Sequence, residues 1–180
     1  MNENAEIVLN ALKTRRSIRK FKPDMPPEET VRKIMESGTF AASGRGLQAS
    51  VIVEVRDPAV RNELSETNRR IGGWDAPFDP FYGAPLLLIV LAAKDRSTRV
   101  YDGSLVMGNL MLSAHVLGIS SCWIHRAKET FEEPRWRAFL RERGVEGEYE
   151  GIGFCALGYA DCPYPDVIPR KPGRIFPDER

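Results

Sequence analysis

Pro85-Leu86-Leu87-Leu88-Ile89-Val90-Leu91 is a run of seven apolar residues without a break. A run this short with no polar alternation reads as a central strand buried on both faces. Working outward, Ser50-Val51-Ile52-Val53-Glu54-Val55 is β-branched and alternates toward its end, so it predicts a second strand. Residues 119–124 and 152–159 predict two more, and the glycines of the last one point to close backbone approach. Helices fill the gaps. Ile7, Val8 and Leu12 mark one that ends near the arginines at 15 and 16. Pro26-Pro27-Glu28-Glu29 opens another, running to about Ala42, with proline and acids suited to a helix N-terminus. Asp57-Pro58 starts a third, to about Arg70. Asp102 or Ser104 caps a fourth, to Leu117, and Glu132 to Arg143 forms a fifth. Strict βαβ alternation is missing, which predicts an α+β domain around one sheet.

The chain of 180 residues is read as a single domain, 1–180, with room for a sizeable core. Its net charge of +1 gives no general attraction to nucleic acid or to an acidic membrane. Three irregularly spaced cysteines and two histidines exclude a disulfide framework and predict no metal site. The N-terminus lacks a basic region followed by an apolar run, and the most apolar helical stretch, 104–118, is too short to span a bilayer. A cytoplasmic protein that avoids membranes is expected. From Asp161 onward the chain is rich in proline and poor in apolar residues, so this tail should lie across something else.

Chemistry concentrates in Thr14-Arg15-Arg16-Ser17-Ile18-Arg19-Lys20-Phe21. Four cations and two hydroxyls suit a phosphate, since planar guanidinium forks bind two oxygens at once. Pro169-Arg170-Lys171-Pro172 is a second basic spot. The competing reading is a solvated charge run. Gly44-Arg45-Gly46-Leu47-Gln48-Ala49 fits a dinucleotide fingerprint in letters only. That motif needs a strand before and a helix after, and here the order is reversed.

Four stretches, in order, resemble the nitroreductase family of flavin mononucleotide (FMN) enzymes. They are 15–21, the turn 41–48, Gly118 to Arg126, and 156–159 followed by 169–172. The resemblance implies a central, mostly antiparallel sheet flanked by helices, with an extended C-terminal tail. It implies a homodimer with FMN at the interface, NADPH or NADH as donor, and a small-molecule acceptor such as a nitroaromatic or quinone, reduced by a ping-pong mechanism. Arg15, Ser17 and Arg19 would hold the phosphate and ribityl chain, with Arg16 at the phosphate or the ring. Ala42, Ser43, Gly44 and Gly46 would pack on the flavin from the partner subunit. Ile124, His125 and Arg126 would lie beside its reactive side, and Arg170 with Lys171 would return to the phosphate.

The chemistry would be the flavin's, with no catalytic side chain named. The family's turn carries proline where this chain has Ala42 and asparagine where it has Gly46, so the asparagine's hydrogen bond to the flavin would be missing here or supplied by Arg45 or Gln48. The same fold also covers dehalogenases and dehydrogenases, and a non-catalytic FMN sensor or storage protein is a further alternative.

Three other features draw attention. Trp74, Phe78, Phe81 and Tyr82 sit in a loop from Gly72 to Gly83 and would form an aromatic lid. His115 reads as a packed, hydrogen-bonded histidine. Residues 104–117 are apolar on every face, which demands burial on all sides, by a partner subunit or by the core.

Overall fold

The computed structural model describes residues 2–178. Ten elements follow in chain order: α1 (Glu3–Thr14), α2 (Glu28–Thr39), β1 (Ser50–Val55), α3 (Pro58–Gly72), β2 (Leu86–Ala93), α4 (Arg99–Val116), β3 (Ser120–Ile124), α5 (Ala127–Thr130), α6 (Pro134–Glu142) and β4 (Tyr149–Gly158). The four strands form one antiparallel sheet in the order β1-β2-β4-β3. This is the α+β fold that the sequence predicts.

Strand β2 is fully buried from Leu86 to Ala92 because it feeds two cores. Leu87, Ile89 and Leu91 face a core closed by Leu64 of α3, Phe131, and Trp136 with Phe139 of α6. Leu86, Leu88 and Val90 point the other way, to Val31 and Ile34 of α2 and Val106, Met107 and Leu110 of α4. Alternation along an extended chain accounts for both sets, and helices on both faces explain why no polar residue interrupts the run.

Strand β4 is the one that must be thin. Its register against β2 shifts between Val90 and Leu91, pairing them with Gly153 and Gly151. Ile152 is therefore the extra residue of a bulge. A Cβ at Gly151 would stand 2.2 Å from the Ala127 carbonyl oxygen, and one at Gly153 would stand 2.2 Å from Trp123 Nε1. Both glycines admit a neighbour that no other residue would allow.

Several boundaries differ from expectation. Helix α2 stops at Thr39, short of Ala42, with Phe40 and Ala41 in a turn bonded back to Ser37 and Gly38. Helix α4 begins at Arg99 rather than near Asp102 or Ser104, and its N-cap, Thr98, makes no side-chain capping bond. α6 opens at Pro134, while β4 begins at Tyr149, three residues before the expected start.

Helix α4 is not covered on all sides within one chain. Val100, Tyr101, Leu105 and Val116 remain largely exposed, so a single chain's core does not supply the burial its sequence demands. No described helix is long and apolar enough to cross a membrane.

Candidate functional site

The arginine run is built into the sheet. After α1 ends, the Ile18 N–H donates to the Ser121 carbonyl at 3.0 Å, Ser17 pairs in parallel with Ser121, and Phe21 pairs with Ala160. Ile18 and Phe21 are buried, which fixes which way the neighbouring side chains point. Arg15, Ser17 and Arg19 all act on the Cys122 thiol. Burial pushes that thiol up, against the pull of the two guanidiniums and the Ser17 hydroxyl.

Arg16 turns the other way. Its Nη1 donates to the Lys13 and Arg15 carbonyls at 2.8 and 2.7 Å, and its Nε to the Asp166 carbonyl at 3.1 Å. Arg15 Nη1 and Arg16 Nη2 are nevertheless buried without a hydrogen-bond partner. Two adjacent cationic donors without acceptors are costly alone and suited to an anion.

A cleft of about 260 Å³ opens beside this run. It is lined by Arg19, Trp74, Phe78, Tyr82, Cys122, Trp123, Ile124, His125 and Arg126, among others. The aromatic loop is tied down by Asp79, which accepts from Ser65 Oγ at 2.7 Å, from the N–H groups of Phe81 and Gly83, and from Arg61 Nη2. Burial alone would raise the Asp79 carboxyl, but these donors outweigh it and hold it below the usual range. Trp74 and Phe78 stack edge-to-face at 5.3 Å, and Phe78 and Tyr82 at 6.0 Å. Phe81 is not part of this set. It is fully buried and packs on Phe154, because Asp79 pins its backbone toward the core.

The far wall is set by β3. The His125 ring stacks on Trp123 at 5.8 Å, and its carbonyl accepts from Asn68 Nδ2 at 2.8 Å. Ile124 is buried at the strand end. Arg126 adopts φ 78° and pairs with Glu129 at 3.1 Å, so its charge is partly answered within the chain.

Sequence reasoning did not single out Trp123, Asn68 or Asp79. Trp123 had a signal: a large side chain in an edge strand, opposite a strand rich in glycine. Its Nε1 is buried without a partner. Asn68 gave none, since it acts on a carbonyl distant in sequence, and Asp79 gave none beyond a local turn, since its side-chain partners Arg61 and Ser65 lie on α3.

The turn from Ala42 to Gly46 lies elsewhere. The Gly44 N–H donates to Asp102 Oδ1 at 3.0 Å, and Thr98 Oγ1 donates to the other carboxylate oxygen at 2.9 Å. Asp102 thus holds the turn rather than capping α4. Arg45, Gly46 and Gln48 all have positive φ, a costly set for two residues with side chains. Helix precedes this turn and strand follows, as the rejection of the dinucleotide motif requires.

Ala42 and Ser43 line a separate cavity of about 690 Å³ with Met35, Asp102 and Val106. The chain therefore gathers Arg19, Ile124, His125 and Arg126 around one cleft, with Arg15 and Ser17 close behind at Cys122. It does not bring the turn there. Arg170 and Lys171 are exposed on the tail and line neither cavity. Among the described residues, no cluster of His, Cys, Asp or Glu is arranged to hold a metal.

A family model described as the Nitroreductase family matches residues 12–72 and 72–159. A crystal structure of a nitroreductase with bound FMN from Bacteroides fragilis superposes with a TM-score of 0.88 at 29% identity, covering 99% of this chain and all of that one. A curated relative from Methanothermobacter thermautotrophicus is 30% identical over 121 residues, which is 64% of this chain and 59% of that protein. An NADPH-dependent oxidoreductase of Staphylococcus saprophyticus is 36% identical over 64 residues, which is 36% of this chain and 26% of that protein. The matched stretches thus span well under two thirds of these two curated relatives.

Proposed function

Because the chain belongs to the nitroreductase family, we infer that it is an FMN-dependent oxidoreductase. When bound, FMN would accept hydride from NADPH or NADH and pass electrons to a small acceptor such as a nitroaromatic or quinone. The observation that carries this reading is a buried, unpartnered guanidinium nitrogen at each of Arg15 and Arg16, among the described residues, in a run whose Arg19 lines the aromatic cleft. Phosphate oxygens would supply the missing acceptors. Ser17 and Arg19 would continue along the ribityl chain toward the cleft, in the order in which the extended backbone presents them.

Trp123, His125 and the backbone at Arg126 would form the wall beside the flavin ring. Arg126 is a weaker electrostatic partner than a bare cation because Glu129 pairs with it. Trp74, Phe78 and Tyr82 would stack on a flat acceptor and exclude water from it.

The reading extends to a homodimer, with the whole chain, 1–180, acting as one FMN-binding unit in the cytoplasm. The exposed apolar residues of α1 and α4 need cover, and none of the turn residues Ala42, Ser43, Gly44 and Gly46 lines its own chain's cleft. A second copy would present that turn. Arg170 and Lys171, exposed on a tail with apolar residues Val167, Ile168, Ile175 and Phe176, would meet phosphate once the tail is packed.

The decisive experiment is the visible spectrum of the protein after incubation with FMN and desalting, then after anaerobic addition of NADPH or NADH. A retained band that bleaches, and returns on adding quinone, is the expected result. A band that does not bleach would point to a sensor or storage protein, and no retained flavin would remove the reading altogether.

Replacing both Trp74 and Phe78 with alanine should raise KM for a flat acceptor about tenfold, in line with the ~0.5–1.5 kcal/mol of an aromatic pair. The anaerobic reduction by NADPH should change far less. Unchanged KM would remove the lid from the acceptor site.

A further inference from the structure

The hydrogen bonds around His115 run in one direction. Thr14 Oγ1 donates to the Asn10 carbonyl at 2.8 Å, which leaves its lone pairs to accept from His115 Nε2–H at 3.0 Å. With the proton on Nε2, Nδ1 is the acceptor, and the Tyr164 O–H lies 3.1 Å away. The Tyr164 oxygen in turn accepts the Arg16 backbone N–H at 3.0 Å. The phenol stacks on the imidazole at 5.9 Å, and Arg16 Nε holds the Asp166 carbonyl two residues further along. One chain of bonds therefore joins α1, α4, the tail and the arginine run. Of these links, the Tyr164 O–H bond to Nδ1 is the one that requires a neutral imidazole.

We propose that His115 and Tyr164 are positioning residues for the cofactor-phosphate site. Neutral His115 latches the tail, and with it Arg170 and Lys171, to the arginine run, and protonation at Nδ1 opens the latch. The proposal rests on the reading that this run holds FMN phosphate. Once Nδ1 carries a proton it becomes a donor, the Tyr164 O–H must turn to solvent, and the charged ring is opposed by the Arg15 and Arg16 cations, which is what loosens the contact.

The surroundings favour the closed form at neutral pH. Arg15 and Arg16 face the ring from the run, Lys22 and Tyr159 share its cavity, Thr14 is its partner on α1, and Tyr164 covers it from the tail. No carboxylate lines that cavity. Burial first, then the two guanidiniums, hold the imidazole below its ordinary range. A base depressed in this way contributes fully above the unfolded value of about 6.5, and the contribution is lost as pH falls through the lower folded value. Without the latch, the segment after Ala160 keeps the Arg16 Nε bond to the Asp166 carbonyl, an exposed Lys20–Asp161 ion pair and the Asp161 N–H bond to the Lys20 carbonyl. An exposed pair of this kind is a weak anchor.

The test uses the full chain. Amide hydrogen exchange of residues 161–168 is followed without FMN at about pH 7.5 and about pH 5, on either side of the ordinary imidazole value and corrected for intrinsic rates. FMN affinity is measured at both pH values by quenching of flavin fluorescence. In the wild type, exchange should rise and affinity fall, each about tenfold, from the higher to the lower pH, as loss of one hydrogen bond implies.

Tyr164→Phe keeps the ring stack and should show the fast exchange and weaker affinity at both pH values. His115→Gln supplies a neutral acceptor throughout and should abolish the pH step while keeping the tail protected. Absence of the step in the wild type, or full protection in Tyr164→Phe, would overturn the latch. Tight FMN binding indifferent to pH and to both variants would overturn the positioning role. No FMN binding by any form would remove the cofactor reading and that role together, while the exchange data decide the latch separately.

Discussion

Arg15→Ala is expected to leave a folded protein that no longer holds FMN, with affinity reduced on the order of 100-fold. The size follows from a charge-assisted bond worth roughly 1.5–3 kcal/mol, at about 1.4 kcal/mol per factor of ten. The Arg15 Nη1 is buried and has no acceptor among the described residues, so the guanidinium adds little to the stability of the free protein. Removing it should therefore leave the melting temperature without FMN unchanged or slightly higher.

The stabilisation that FMN gives on addition should vanish, since a ligand stabilises only to the extent that it binds. Arg15→Lys should fall between the two, retaining a point charge but not the planar fork. Calorimetric titration with FMN, paired with melting curves, checks both halves. An unchanged dissociation constant would sink the phosphate assignment; a large loss of stability without FMN would mean that Arg15 is structural.

Gly151→Ala should be the most damaging single methyl group in the sheet. The new Cβ would meet the Ala127 carbonyl oxygen at 2.2 Å and the carbonyl carbon at 2.4 Å. These are backbone atoms of a short helix whose next turn is already fixed by the Phe131 N–H bond to that same carbonyl. Nothing flexible can yield, so strand and helix must part. Overpacking of this kind costs about 3 kcal/mol or more, which for a chain this long lowers the melting temperature by roughly 6–12 °C. Gly108→Ala is the control, since no atom lies within 4 Å of the position its Cβ would take. Equal melting temperatures for the two variants would show that β4 and α5 are not packed as described.

What the sequence revealed and what it hid follow a physical line. Strands β1 and β2 were legible from Val51, Val53 and Val55 and from the leucines of 86–91, because burial on a sheet leaves a pattern that no helix shares. The start of β4 was not. Gly151 looks like a loop residue until Ala127 is seen to occupy the space its side chain would fill, whereas Gly153 was legible within the strand as a point of close approach, here to Trp123. The start of α4 was missed for a related reason: Asp102 has the chemistry of a cap but serves Gly44, 58 residues away.

The arginine run could be read as a phosphate site from composition, and the division of labour within it could not. That Arg16 grips the Asp166 carbonyl while Arg15 bears on Cys122 depends on the backbone bridges that Ser17 and Phe21 make to Ser121 and Ala160. The aromatic loop was visible as a cluster, but only the knot at Asp79 decides that Phe81 turns inward while Trp74, Phe78 and Tyr82 turn outward.

The bond from Arg16 to the Asp166 carbonyl spans 150 residues of chain. During synthesis, which proceeds from the N-terminus, the run that begins at Arg15 is made long before this anchor, 150 residues away, exists. Its backbone bond from Ile18 to Ser121 of β3 also waits for a distant segment. On the reading that this run holds FMN phosphate, a nascent chain stalled before Tyr164 should therefore display its sheet but fail to retain flavin.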